Sequence, residues 1–198
     1  ITGHTGKVNW LDWSPDGQTL ATAGEDRTIQ LWDSQTGAHK LTLAGHSDSV
    51  NALSFSLDGT QLASGSMDKT IILWNPATGE KLQTLTGHTD TVWDVKFSPV
   101  VSGGDASRYL ASASQDSTVR RWDLATGQTV AIYPHPKPVN GLAWSSDGSK
   151  LATGSDDGLA RIWDVQRGQP IATLSGHQGG VWNVAWRADD ARLATAAT

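Results

Sequence analysis

Five histidines recur along the 198-residue chain in the same company: His4, His46, His88, His135 and His177. Eighteen residues after four of them stands a hydroxyl, Thr22, Ser64, Thr153 or Thr195; after His88 the interval is 24 residues, to Ser112. Four residues further comes Asp26, Asp68, Asp116 or Asp157, and six beyond that Trp32, Trp74, Trp122 or Trp163. The fifth copy supplies only His177 and Thr195. A histidine, a hydroxyl and a carboxylate are the parts of nucleophilic catalysis, with the histidine as base and the carboxylate orienting it. The same parts also make a buried polar network in which every donor finds an acceptor. Repetition favours the network. An active site is built once, whereas these residues return four times, with Thr exchanging for Ser and nothing else changing. No strand-turn-helix elbow is present to hold a nucleophile.

Other chemistry is disfavoured as well. The histidines come one per copy rather than paired at i, i+4, and no H-E-x-x-H occurs, so no metal is expected. Asp16, Asp58 and Asp147 each precede a glycine as hairpin turns and lack the spacing of a calcium loop. "GHTGKV" lacks the spacing of a phosphate-binding loop. The chain has no cysteine, which removes thiolate catalysis, disulfides and thiolate metal sites and fits a reducing, cytoplasmic setting. No cofactor is expected. Fifteen Lys and Arg stand against 20 Asp and Glu, a net charge of −5. With no basic block, a nucleic-acid partner is not expected. No apolar run reaches the roughly 18 residues that span a bilayer, so no membrane partner is expected.

The elements that hold these residues follow from the period. The histidines lie 42 residues apart, except between His88 and His135, where the interval is 47. The third copy carries six extra residues within "SPVVSGGDASRYL", and the turn before His135 is one residue short. Each copy reads as four short strands. In the second copy "SVNALSFS", "QLASGS", "TIILW" and "KLQTL" are rich in β-branched or alternating apolar residues, separated by "LDGT", "MDKT" and "NPATGE". Nothing sustains a helical period. Sheets of four strands at this spacing need neighbours to bury their faces.

"GH" to "WD" at this period, with "LASGSMDKTIILW" between them, resembles the WD-repeat family of β-propellers over essentially the whole chain. The resemblance implies an all-β propeller of four-stranded antiparallel blades. Four blades are full, at about 4–45, 46–87, 88–134 and 135–176, and 177–198 holds two strands of a fifth. Because propellers close with about four to eight blades, the expectation is a segment of a longer array. It further implies four networks, His4/Thr22/Asp26/Trp32, His46/Ser64/Asp68/Trp74, His88/Ser112/Asp116/Trp122 and His135/Thr153/Asp157/Trp163. In each, the indole N–H bonds the hydroxyl, the hydroxyl the histidine, and the histidine the aspartate. Pro134 departs from the glycine of the pattern and Asn75 from its aspartate.

In an antiparallel meander the His approach and the Asp turn share one end, the face the family uses most for binding. The variable positions there are Lys7, Asn9, Asn51, Trp93, Asn140, Trp182, Glu25, Met67, Gln115 and Asp156. Val8, Val50, Val92, Val139 and Val181 are expected to point into the core. Trp93 and Trp182 stand where sister copies hold Asn, and Met67 is expected to fall near Trp93, the composition of an interface hot spot. Arg121 stands where other copies carry Leu31, Leu73 and Ile162 and is expected to snorkel outward or to line the channel. The insertion extends a turn on the opposite face. The expected function is a non-enzymatic platform for a protein or peptide partner. The alternatives are a sensing or regulatory propeller of a larger enzyme or signalling protein, and a self-assembling or engineered half-propeller that completes its ring from several chains.

Overall fold

The computed structural model describes residues 2–99 and 108–198, and every regular element in them is a β-strand. The six inserted residues fall within 100–107, outside the described residues. The chain divides into two compact units, residues 1–97 and 98–198.

The first unit holds two four-stranded antiparallel sheets in sequence order. One is β1 (Val8–Trp13), β2 (Thr19–Gly24), β3 (Thr28–Asp33) and β4 (His39–Ala44). The other is β5 (Val50–Phe55), β6 (Leu62–Ser66), β7 (Ile71–Trp74) and β8 (Lys81–Leu85), and the unit ends with β9 (Val92–Phe97). In the second unit β10 (Tyr109–Ser114), β11 (Thr118–Asp123) and β12 (Gln128–Pro134) pair in order. A four-stranded sheet follows, β13 (Val139–Trp144), β14 (Lys150–Ser155), β15 (Ala160–Asp164) and β16 (Gln169–Leu174), then the hairpin β17 (Val181–Trp186) and β18 (Leu193–Ala197).

Turn chemistry places these strands. Gly17, Gly59 and Gly148 adopt φ of +69°, +70° and +68°, the left-handed conformation that closes the first hairpin of each sheet. The Asp before each accepts from a serine two residues upstream, as in Ser14 Oγ to Asp16 Oδ1 at 2.6 Å. The second turn uses the same backbone region without glycine at Arg27, Lys69 and Ser117, and with glycine at Gly158.

Two irregularities recur. In the first strand of each sheet with a described pairing, the register slips just after the valine, at Val8/Trp10, Val50/Ala52, Val139/Gly141 and Val181/Asn183. The residue left out is Asn9, Asn51, Asn140 or Trp182, and such a bulge re-aims its side chain. A second slip precedes the network tryptophans, at Leu31/Trp32, Leu73/Trp74, Arg121/Trp122 and Ile162/Trp163.

The core lies between neighbouring sheets. In the first unit Ile29, Leu31 and Leu43 meet Val50, Leu53, Phe55 and Trp74. In the second, Val119 and Tyr133 meet Val139, Leu142 and Trp163. Val50, Val92, Val139 and Val181 are fully buried, but Val8 is 51% exposed. The expectation for Val8 is corrected: among the described residues of its unit nothing covers that face of β1, where Leu11 and Trp13 are exposed as well. No helix of the described residues is long and apolar enough to cross a membrane.

Candidate functional site

The recurring residues build relays with a definite direction. In the first sheet Trp32 Nε1–H donates to Thr22 Oγ1 at 2.8 Å. The Thr22 hydroxyl donates to His4 Nε2 at 2.8 Å, and His4 Nδ1–H donates to Asp26 Oδ2 at 2.9 Å. Thr5 N–H and the Thr28 hydroxyl complete the carboxylate's shell at 2.9 and 2.8 Å. The second sheet repeats this. Trp74 donates to Ser64 Oγ at 2.8 Å, Ser64 meets His46 Nε2 at 2.7 Å, and His46 Nδ1 meets Asp68 Oδ2 at 2.8 Å. Burial alone would raise the pKa of both aspartates. The Thr28 hydroxyl, the Thr5 amide and His4 outweigh it and hold Asp26 at about 2. Asp68 is lowered against the same burial by His46 and Thr70.

The glycine of "GH" has a physical reason. A Cβ at Gly3 would lie 2.6 Å from Trp32 Cη2, and one at Gly45 would lie 2.9 Å from Trp74 Cη2. The backbone before each histidine lies on the tryptophan of its own network, leaving no room for a side chain.

Within the second unit Trp122 Nε1 donates to Ser112 Oγ at 2.8 Å, and Asp116 Oδ1 accepts from the Thr118 hydroxyl at 2.6 Å. His88 belongs to the first unit, where it is buried. His177 Nε2 meets Thr195 Oγ1 at 2.7 Å.

The fourth network departs from the expectation. Trp163 bonds Thr153 at 3.0 Å, and Thr153 bonds His135 Nε2 at 2.8 Å. His135 Nδ1–H donates to the Tyr133 carbonyl at 3.0 Å and not to Asp157. Asp157 is held by both terminal nitrogens of Arg161, at 3.2 and 2.7 Å. The cause is local. Leu43 and Leu85, paired with Ile29 and Ile71, precede their histidines by three residues. Tyr133, paired with Val119, precedes His135 by two. The shortened connection brings the ring over its own strand. Leu159 also replaces the threonine that bonds the carboxylate elsewhere, and Arg161 takes up the vacated lone pairs. Burial then pushes His135 down to about 4.

The hydroxyl-His-Asp geometry is that of a hydrolytic triad, but the hydroxyls are closed to substrate. Ser64, Ser112 and Thr153 are fully buried, and each oxygen already accepts an indole N–H. A nucleophile whose lone pair is committed and which no substrate reaches performs no acyl transfer. In the first two sheets the relays instead tie the approach to the sheet to its second turn.

Around that turn lie the remaining candidate residues. Met67 N–H donates to the Ser49 carbonyl at 2.9 Å, Glu25 N–H to the Lys7 carbonyl at 2.8 Å, and Asp156 N–H to the Pro138 carbonyl at 2.9 Å. Met67 is 41% exposed. Lys7 and Glu25 form a solvent-facing ion pair at 3.6 Å. Trp93 and Gln115 are half-buried. Trp182 is 57% exposed.

The asparagines at the bulge have structural roles that their sequence position did not reveal. Asn9 Nδ2 donates to Ser49 Oγ and the Val50 carbonyl at 2.9 and 3.1 Å. Asn140 Nδ2 donates to Asp156 Oδ1 and the Val181 carbonyl at 2.6 and 3.2 Å. Each fastens its bulge to the next first strand. Asn51 is buried, so its placement on an open rim is corrected. The return of Asn at a fixed position in three copies was the available signal.

Comparison with known proteins places this architecture. The profile described as the IFT122 first beta-propeller matches residues 7–198. WD repeat-containing protein 86 of Homo sapiens is 53% identical over 34 residues, 17% of this chain and 9% of its own length. Protein Mut11 of Chlamydomonas reinhardtii is 50% identical over 38 residues, 19% and 10% of the two chains. Small ribosomal subunit protein RACK1 of Caenorhabditis elegans is 49% identical over 41 residues, 21% and 13%. The chain thus covers about a tenth of the length of each of these relatives.

Proposed function

The chain belongs to the family of the IFT122 first beta-propeller, among the WD-repeat β-propellers, and on that premise we propose that it is a non-enzymatic platform that binds a protein or peptide partner. WD-repeat propellers generally bind proteins. The partner docks on the face formed by the approaches to the histidines and the second turn of each sheet. Met67 carries this reading: it is an exposed apolar side chain on a turn where the sister turns hold Glu25, Gln115 and Asp156. Its neighbourhood extends toward Trp93, since Gly65, two residues before Met67, packs on Val92, with a Cβ there only 2.7 Å from Val92 Cγ1. The anchor proposed is the Met67 thioether together with the Trp93 indole, an adaptable apolar pair with a polar surround.

The test is capture of a partner by the intact protein, compared with Met67→Ala and Trp93→Ala. Loss of capture with the protein still folded is expected for both. Undiminished capture by both variants would remove this face from the reading.

A further inference from the structure

Arg121 precedes a network tryptophan, at the position where Leu31 and Leu73 are buried core residues. In the second unit its guanidinium lines a cavity of about 310 Å³ at the end of the sheets opposite the histidine turns. Tyr109, Trp144, Val165 and Asp147 are among the other walls. Arg121 Cζ lies 4.9 Å from the centroid of the Tyr109 ring, which fixes the plane of the fork. Nη1 donates to the Val165 carbonyl at 3.3 Å, an oxygen that also receives the Tyr133 hydroxyl at 3.4 Å. Nε is buried and has no acceptor among the described residues. A guanidinium drawn partly out of water with a donor left unpaired among the described residues is unfavourable, and an acceptor supplied from outside relieves it.

The repeat provides an internal comparison. The first unit builds the corresponding groove from Ser14, Thr19, Phe55 and Asp58, with no cation among its lining residues. There the position of Tyr109 is Thr19, since both pair with the aspartate after their tryptophan. The cation and its aromatic support therefore enter together in the second unit only.

We propose that this cavity binds a carboxylate carried on an apolar group, with Arg121 as the anchor of the carboxylate and Tyr109 and Trp144 as the walls for the apolar part. A planar guanidinium matches a carboxylate edge to edge. The volume suits one or two side chains or a small organic acid. Asp147 narrows the class. Its oxygens accept from Ser145 and Ser149, which keeps a negative charge at the turn, and that charge disfavours phosphates and other multiply charged anions.

The experiment follows the Trp144 indole N–H by NMR during titration of the folded protein with three compounds: 3-phenylpropionate, its uncharged amide 3-phenylpropanamide, and the blocked dipeptide N-acetyl-Phe-Glu-amide. The carboxylates are expected to bind at least tenfold more tightly than the amide. Arg121→Leu, which restores the residue of the sister sheets, is expected to abolish the difference while raising the unfolding midpoint. Tighter binding of the dipeptide assigns the site to a peptide segment, and tighter binding of the free acid assigns it to a small molecule. Equal binding of acid and amide, undiminished binding by Arg121→Leu, or no response to any of the three at millimolar concentration would overturn the proposal.

Discussion

At the scale of single residues the histidine relays are supports whose parts fail in different ways. Asp68 accepts from His46, from the Ser47 amide and from Thr70, with its carboxylate almost fully out of solvent. Asp68→Ala leaves those donors unpaired, and a cost of about 1–3 kcal/mol is expected in urea unfolding; an unchanged midpoint would remove Asp68 from the relay. His135 makes a pH-dependent contribution of opposite origin. Its ring is held neutral down to about pH 4, whereas an unfolded histidine takes a proton near pH 6.5. Between those values the unfolded chain binds more protons, so stability is full at neutral pH and falls as the pH drops from about 6.5 to about 4. The total loss is about 3 kcal/mol. Comparing wild type with His135→Gln across that window isolates the term: the slope is expected to shrink in the variant. Asp26 acts lower, where its contribution is present above its unfolded value of 3.8 and lost as the pH falls toward about 2.

At the scale of elements the design is a small residue on one sheet against a valine on the next. Gly65 meets Val92, and Gly154 meets Val181, so closely that an added Cβ would lie 2.7 Å from the valine Cγ1 in each case, which leaves no room for a side chain. Gly154→Val is expected to destabilise the second unit by about 1–3 kcal/mol, because Val181 is fully buried and its backbone carbonyl also lies within 3.1 Å. Loss of amide-exchange protection in β14 and β17 with little change in β5 to β8 is the pattern that would identify this contact. The bulge at Asn140 serves the junction of Gly154 with Val181 from the edge by turning an amide into β17, and the bulge at Asn9 does the same between β1 and β5. A bulge residue is therefore a joint by default. Trp182, at the bulge of β17, departs from that pattern and keeps an exposed ring.

At the scale of the whole molecule the consequence of the repeat is that every sheet presents a face made for another sheet. On β1 that face carries Val8, Leu11 and Trp13, each about half exposed. An apolar sheet face of this kind associates. The 198-residue chain prepared alone is expected to sediment above its 21.0 kDa monomer mass in a concentration-dependent way, and Leu11→Lys is expected to shift it toward the monomer without lowering the unfolding midpoint. A monomer at all concentrations would argue that this face is not sticky.

What the amino-acid sequence determined by itself was whatever the repeat states many times. Strand positions, hairpin glycines and the partners in the first two relays all follow from a period that aligns equivalent residues, since local turn chemistry and alternating burial act within one copy. Where a copy departs from the pattern, the outcome depended on contacts between segments distant in the chain. Removing one residue before His135 turned its ring from Asp157 to the Tyr133 carbonyl, and Arg161 replaced it there. Asn51 went from a variable rim position to a buried one beside Asn9 and Ser49, whose side chains both reach its Oδ1. Arg121 was expected to snorkel outward or to line the channel, and it lies against Tyr109 on the wall of a cavity. Periodicity specifies which residues are equivalent; only packing between sheets decides which of the exceptions are buried, which are paired, and which stand open to a ligand.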